Sequence, residues 1–305
     1  MRKLLAVAVL ITMLISAGTT VAAAPAPNLG AAPAPTTPDT KVTTEATSTI
    51  ELLSDTPAPK VRDPQKVKER HRQIADTLGP VIARYGSDSP EARAAADSIG
   101  LQAVRVQSTV EPLYSSSQYV AMSAPVANFD PLTGEYTLYG NMRWKTDTSG
   151  VPYWQLDGLQ TGTMGGDDGW GLYLSSSQGV NVTDGILQTN SLYSWGAGLQ
   201  TWTTLEDINP TGIAIAAPDT MVYKQVDYVN QWKNWDYSAN SSIVYMWARI
   251  VGSRSSAQVK HQHVHTWATT GVLSMTVGTG GLSVTYSNGG TTTYSWKATS
   301  SAIYW

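Results

Sequence analysis

The sequence predicts a mainly β protein whose folded part is an antiparallel β-sandwich of jelly-roll-like type. From about residue 113 onward the apolar residues alternate with a period of two, which is typical of half-buried strands. Turn-forming groups such as Asp147–Gly150 and Gly278–Gly281 separate runs of strand length. All eleven tryptophans follow Tyr114, and this part of the chain has room for about ten to twelve short strands. We therefore expect residues 113–305 to form one all-β domain.

The N-terminus has the three parts of a secretory signal. Two basic residues precede the uncharged apolar run Leu4–Ile15, and small residues follow up to a cleavage site near Ala23 or Ala24. We expect residues 1–23 to be a signal peptide and the mature protein to be secreted, extracellular and bacterial. No later apolar run approaches the roughly 20 residues that span a bilayer. We therefore expect no transmembrane segment after signal cleavage.

The next segment, residues 24–60, is rich in alanine, proline and threonine. The sequence Ala-Pro-Ala-Pro occurs at 24–27 and again at 32–35. Proline fixes φ and removes a backbone donor, and the segment has too few large apolar residues to form a core. It is therefore predicted to be a disordered, extended linker.

Residues 61–112 change character and predict a short helical segment. Asp63 before Pro64 is the pattern of an N-cap followed by proline at the first helical position. We expect Gly79–Pro80 to kink or end this first helix. An apolar stripe with helical spacing is formed by Val67, Ile74, Leu78 and Tyr85.

A second helix is predicted to begin at Ser89–Pro90 and to close at Gly100. Two short helices alone would be marginally stable in water. Two interpretations therefore stay open for residues 61–112. The segment packs on the β-domain, or it is a separable element that resembles a propeptide or acts as a spacer.

Several runs after residue 113 have the pattern of individual strands. Ile243–Ile250 is apolar on both faces, which predicts a central buried strand. The glycine-rich group Gly165–Gly169 is interpreted as a turn. The other predicted strand positions are Tyr136, Leu138, Met142 and Trp144 on one face, Leu172 with Leu174, Met221–Val229, Leu273 with Met275 and Val277, and Leu282 with Val284 and Tyr286.

Charge and cysteine content exclude several classes of function. The formal net charge is −3 and only 14% of residues are charged, so no basic face for a nucleic acid is expected. The chain has no cysteine, which excludes disulfides, thiolate metal sites and a cysteine nucleophile. A β-domain of about 190 residues can bury enough apolar surface without disulfides.

The sharpest candidate site is a metal site at His261, His263 and His265. Side chains at positions i and i+2 of a strand point to the same face, about 6.7 Å apart. Two of these imidazoles can converge on one Zn²⁺ ion if another strand supplies a further ligand. The alternative is a solvated strand face that binds nothing.

Carboxylates offer two weaker candidate sites. Asp167 and Asp168 lie together in the glycine-rich group and could hold Ca²⁺ through oxygen ligands, although Asp-Gly pairs also favour turns for backbone reasons. Hydrolysis of polysaccharides requires two carboxylates across a cleft. Glu135 and Glu206 are the only glutamates after Glu111, and nothing beyond their residue type recommends them.

The aromatic residues suggest a glycan-binding surface. Flat rings stack on the apolar faces of sugars, and the stretch 231–237 mixes such rings with hydrogen-bonding side chains. The candidate ligand-binding residues are Trp232, Trp235, Tyr237 and Trp170. Because the chain has only one phenylalanine, we expect at least half of its tryptophan and tyrosine rings to fill the core.

The function that the sequence favours is that of a secreted, non-catalytic domain that binds extracellular polysaccharide or cell wall. One alternative is a secreted hydrolase of extracellular polymers, with or without the help of a metal ion at the triple-histidine strand. A second alternative is a membrane-active or surface-structural β protein, because residues 271–296 resemble an amphipathic hairpin. The sequence leaves the oligomeric state open.

Overall fold

The structure is a computed structural model that describes residues 58–104, 115–116, 119–146, 162–191, 199–225, 233–252, 257–266, 270–287 and 295–304. The predicted signal peptide and nearly all of the predicted linker lie outside these residues. Neither helix in the described part combines the length and the apolar character that crossing a bilayer requires.

Two helices precede a long series of strands, as the sequence predicts. Sixteen strands lie after residue 113 in the described part, more than expected because several have only two or three residues. The elements are α1 Pro64–Tyr85, α2 Pro90–Ser98, β1 Gln102–Ala103, β2 Ser115–Ser116, β3 Val120–Met122, β4 Val126–Asp130, β5 Glu135–Trp144, β6 Gly162–Leu174, β7 Val180–Asn190, β8 Gln200–Trp202, β9 Asp207–Asn209, β10 Gly212–Gln225, β11 Lys233–Tyr237, β12 Ser241–Ile250, β13 Gln258–Thr266, β14 Val272–Gly278, β15 Gly281–Tyr286, β16 Ser295–Thr299 and β17 Ile303–Tyr304.

All strand pairings in the described residues are antiparallel, which confirms the mainly β, antiparallel prediction. The first sheet has the order β1-β4-β5-β12-β7-β8, with β3 also paired to β5 and β2 to β3. The second sheet has the order β11-β10-β6-β13-β16, with β9 paired to β10 and β17 to β13. A separate hairpin joins β14 to β15.

Strand β12 confirms the prediction of a central buried strand. It pairs with β5 on one side and β7 on the other, and its residues from Ser241 to Ala248 are buried. The predicted face of β5 is also confirmed, because its four apolar residues lie in one buried cluster with residues of the second sheet. That cluster includes Leu138, Met142, Trp170, Leu172, Ile215 and Val259.

Hydrogen bonds also connect the two sheets across this cluster. The indole Nε1 of Trp170, on β6, donates to Ser242 Oγ on β12 over 2.8 Å. His261 Nε2, on β13, lies 2.7 Å from the carbonyl oxygen of Ser123, which follows β3. A Cβ at Gly140 would lie 2.5 Å from the His261 ring, so this glycine makes room for the imidazole.

Helix α1 packs on the first sheet. Its N-cap is Asp63, whose side chain accepts hydrogen bonds from two backbone N–H groups of the first turn, as predicted. Ile74, Leu78 and Ile82 are fully buried, in a cluster with Tyr245 and other residues of the first sheet. Burying each such aliphatic side chain contributes about 1.5–3 kcal/mol, so this packing holds the helix firmly.

The structure contradicts an end of α1 at Gly79–Pro80, because the helix continues through Pro80 to Tyr85. Proline has no backbone N–H, so one hydrogen bond of the helix is absent at Pro80. Packing of α1 on the sheet stabilises the helix in spite of this loss. A Cβ at Gly79 would lie 2.1 Å from Gln188 Oε1, so the glycine allows close approach to β7. Tyr85 does not continue the buried stripe, since it is 48% exposed.

The interpretation of Gly165–Gly169 as a turn is also wrong, because these residues lie inside β6. The hairpin β14–β15 packs closely on glycines of β6 in and next to this group. A Cβ at Gly169 would lie 2.4 Å from Met275 Sδ, and one at Gly171 would lie 2.5 Å from a Leu282 methyl. The glycines therefore serve strand packing rather than chain reversal.

Strand β14 differs from its predicted alternation at one position. Its register with β15 shifts between Val272 and Ser274, and Leu273 at this shift is 65% exposed. Met275 and Val277 are buried against β6 and β10 as expected. A bulge of this kind re-aims a side chain locally without changing the rest of the strand.

We expect Gly166→Ala to destabilise the protein by about 1–3 kcal/mol, because overpacking forces backbone shifts. The new Cβ would lie 2.2 Å from the Cα of Gly271, which cannot rotate away as a side chain could. Urea unfolding measures the effect. Gly278→Ala is the matched control, because a Cβ there meets nothing within 4 Å. Equal stability of the two variants would contradict this packing.

Candidate metal centre

The three alternating histidines of β13 are all buried. His263 and His265 both contact the carboxylate of Asp168 on the neighbouring strand β6. His261 instead contacts the Ser123 carbonyl, and burial lowers its pKa to about 4, which keeps it neutral. Thus His263 and His265 meet a carboxylate from another strand, whereas His261 lies apart and helps to connect the sheets.

Asp168 is the centre of this group and is completely buried. Its oxygens lie 3.2 Å from His263 Nε2 and 2.9 Å from His265 Nδ1, and Thr266 N–H donates over 2.8 Å. Burial alone would raise the pKa of Asp168. The charges and hydrogen bonds of the two histidines outweigh burial and lower the pKa to about 2. The residue is therefore a carboxylate at neutral pH.

Asp219 on β10 joins Asp168 from a third strand. The register of β10 with β6 shifts between Pro218 and Thr220, and Asp219 lies at this irregularity. Its Oδ2 is 3.9 Å from His265 Nδ1. Burial, together with the charge of Asp168, raises the pKa of Asp219 to about 9. Without a cation nearby, Asp219 is therefore protonated at neutral pH.

Asp168, Asp219 and His265 have the spacing of metal ligands. Each offers one donor atom, and these atoms all lie within 4.8 Å of one another. Neighbouring ligands of a tetrahedral ion with bonds of about 2.0–2.1 Å lie about 3.3 Å apart. The distances of 2.9 and 3.9 Å from His265 Nδ1 to the two carboxylates bracket this value.

Two buried polar atoms beside this group have no hydrogen-bond partner. They are Oδ1 of Asp219 and Nδ1 of His263. Most buried polar atoms in folded proteins are paired, so each exception requires an explanation. An ion bound by Asp219 would account for the first of them directly.

Aromatic rings enclose the histidines. Trp170 stacks on His263 with ring centroids 5.0 Å apart, and Trp144 packs perpendicular to His265 with ring centroids 4.9 Å apart. Trp170 is 1% exposed and Tyr237 is 0% exposed, so neither presents a ring face to a sugar in this structure. Of the other predicted ligand-binding residues, Trp232 lies outside the described residues, and Trp235 is placed by its backbone pairing with Tyr223.

The carboxylates that the sequence offered in pairs differ in burial in the structure. Asp167 is half-buried, whereas its neighbour Asp168 is sealed in the core, because adjacent residues of a strand point to opposite faces. Glu206 is exposed and Glu135 is fully buried. The structure therefore brings Asp168 together with a different partner, Asp219, which the sequence interpretation missed. The sequence feature that could have indicated Asp219 is its position as the one charged residue inside the apolar run 213–222.

A second buried polar group, also missed from the sequence, connects α1 to the first sheet. His71 Nε2 lies 2.5 Å from Glu135 Oε2, and His71 Nδ1 lies 2.8 Å from Asp184 Oδ2. Arg249 Nε pairs with Glu135 Oε1 at 2.9 Å. The His71 ring stacks on Trp247 with centroids 4.3 Å apart. The sequence feature that could have indicated this group is the position of His71 on the apolar stripe of α1.

The charges of this second group stabilise one another. Burial lowers the pKa of His71, but hydrogen bonds and charges of Asp184 and Glu135 outweigh it and raise the pKa. The pKa of Glu135 is lowered, because His71 and Arg249 outweigh the effect of burial. Glu135 is therefore part of an ion-pair group that holds α1 on the sheet. Its carboxylate, which the sequence offered as a candidate for hydrolysis, is paired with His71 and Arg249.

Comparison of the sequence with known protein families and with curated proteins finds no match. The fold and the site define the class of the protein: a mainly β chain with a buried histidine–carboxylate group between its strands.

Proposed function

We propose that this protein is an exported β-sandwich protein that binds a transition-metal ion through Asp168, Asp219 and His265. The observation that carries the proposal is the convergence of these three donors, from β6, β10 and β13, inside the core. Burying a charge is costly unless it is compensated. Two carboxylates would neutralise a divalent ion at this site.

The donor set favours a transition metal over calcium. An imidazole nitrogen suits zinc, copper and iron, whereas calcium takes six to eight oxygen ligands. His263 supports the site through Asp168, since its Nε2 lies 3.2 Å from Asp168 Oδ2. Such a contact to a ligating carboxylate fixes its orientation and tunes its affinity.

The role proposed for the ion is structural. Asp168, Asp219 and His265 are each 0% exposed, whereas a catalytic ion keeps a position open to water and substrate. The ion would connect three strands of the second sheet. In a cysteine-free exported chain, this connection would provide the stabilisation that disulfides often provide.

Titration with Co²⁺, a coloured substitute for Zn²⁺, tests the proposal. Protein treated with EDTA and then dialysed is expected to bind about one equivalent, with d–d bands of a low-symmetry site. His265→Ala is expected to weaken binding more than about 100-fold, since it removes a ligand rather than a supporting contact. Calorimetry with Zn²⁺ measures the same affinities.

His261→Gln is the matched control, because His261 is equally buried on the same strand and lies apart from the three donors. It is expected to keep wild-type affinity. Far-UV circular dichroism identifies any variant that fails to fold. Folded wild-type protein that binds no ion, or equal affinities of wild type and His265→Ala, would reject the metal site.

Binding of extracellular polysaccharide or cell wall is a second proposed function. Its support is the edge strand β11, in which Trp235 lies directly opposite Tyr223 of β10. Cosedimentation with insoluble glycans is expected to depend on Trp235, with Trp235→Ala reducing the bound fraction. A Trp202→Ala variant on β8, the last strand in the order of the first sheet, is the control. Sugar release abolished by EDTA would instead support a metal-dependent hydrolase.

A further inference from the structure

Tyr237, at the end of β11, lies beside both carboxylates of the candidate site. Its hydroxyl oxygen is 3.2 Å from Asp219 Oδ2 and 3.4 Å from Asp168 Oδ2. The residue is 0% exposed, and its ring packs perpendicular to that of Trp144 with centroids 6.0 Å apart. The phenol oxygen is therefore held in place, in the same sealed space as the three donors.

These separations are those of neighbouring ligands around one ion. The oxygen-to-oxygen distances from Tyr237 fall between the 2.9 and 3.9 Å that separate His265 Nδ1 from the same carboxylates. We propose that Tyr237 is a fourth ligand and that the site takes ferric iron. This inference rests on the proposed metal-binding function and names the ion.

The charge of the complete donor set favours a trivalent ion. Two carboxylates and a phenolate carry three negative charges, and the imidazole is neutral. Fe³⁺ balances these charges, so the sealed complex has no net charge to desolvate. Oxygen anions are also hard ligands, which suit a hard cation, while the single imidazole is a usual ligand of iron. Four strands, β6, β10, β11 and β13, would then meet at one ion.

Coordination of a phenolate to Fe³⁺ has a direct optical signature. Iron is added to metal-free protein as its nitrilotriacetate complex, and the visible spectrum is recorded. We expect a ligand-to-metal charge-transfer band that saturates at about one equivalent. Resonance Raman excitation within this band is expected to enhance tyrosinate ring modes, which identifies the ligand in the wild-type protein without any variant.

Tyr237→Phe removes only the hydroxyl group and is expected to abolish the band while Co²⁺ still binds through the other three donors. Tyr245→Phe is the matched control, because Tyr245 is another fully buried tyrosine that lies under helix α1. It is expected to keep the band. A band that persists in Tyr237→Phe would overturn the inference.

The two proposals fail in different ways. Wild-type protein that binds Co²⁺ but shows no charge-transfer band with Fe³⁺ overturns the role of Tyr237 and leaves the metal site intact. Wild-type protein that binds neither ion overturns both. Tyrosinate Raman modes in the wild type support the inference even where Tyr237→Phe does not fold.

Discussion

Asp168→Ala is expected to lower the free energy of unfolding by about 3–5 kcal/mol in the metal-free protein, measured by urea denaturation in EDTA. The substitution removes the acceptor shared by His263, His265 and the Thr266 N–H. These groups are fully buried, so water cannot replace the lost carboxylate without opening the core. Because domains are stable by about 5–15 kcal/mol, this loss approaches unfolding.

Asp167→Ala is the matched control for Asp168→Ala, since it removes the same group one residue earlier. Burial, followed by the charge of Asp168, raises the pKa of Asp167, so the folded protein disfavours this charge. We expect a change within about 0.5 kcal/mol. Similar losses in both variants would show that Asp168 is not the centre of the buried group.

His71→Leu is expected to cost about 3–5 kcal/mol at pH 6, because it leaves the buried Glu135 and the partly exposed Asp184 without their shared partner. The substitution keeps an apolar side chain of similar size against Trp247. The ion pair between Arg249 and Glu135 remains in the variant. Chemical denaturation of both proteins measures the difference.

The cost of His71→Leu is also expected to depend on pH. The pKa of His71 in the folded protein is raised above 6.5, so the folded state holds a proton that the unfolded state releases. Its contribution is complete below pH 6.5 and is lost as the pH rises through the folded-state pKa, by at most about 1.4 kcal/mol per pH unit. The groups that face His71 are Glu135, Asp184 and Arg249 with the Trp247 ring.

Arg72→Ala provides the control for His71→Leu. Arg72 is the next residue of α1 and is exposed. We expect the free energy of unfolding of Arg72→Ala to stay within about 0.5 kcal/mol of the wild-type value and to follow the wild-type pH profile. If the difference between wild type and His71→Leu did not shrink above pH 6.5, His71 would not be the protonated group that holds α1.

Local periodicity made much of the fold predictable. The alternation of β5 and the two-sided apolar pattern of β12 depend on neighbours two residues away, so the sequence shows them directly. The cap of α1 at Asp63 is equally local. Residues 165–169 were interpreted as a turn because they are rich in glycine. In the structure, Gly169 lies in a strand and makes room for Met275 of the hairpin that packs on it. This contact joins residues far apart in the chain, so no local sequence pattern shows it.

The candidate site was predictable only in part. By itself the sequence determined that three histidines share one face of β13 and that a second strand must supply any further ligand. It did not determine that His261 turns to the Ser123 carbonyl, nor that Asp219 is a partner. Asp168 lies 97 residues from His265 along the chain.

What the sequence by itself determined is therefore the mainly β class, the two helices and the buried face of strands such as β5 and β12, because strand and helix periods are properties of neighbouring residues. The tertiary structure alone decided which faces meet. Antiparallel pairing of β6 with β10 and β13 brings Asp168 to Asp219 and His265. Packing of α1 brings His71 to Asp184, 113 residues away. Burial then sets the charge of each group, because desolvation acts only after the chain has closed around it.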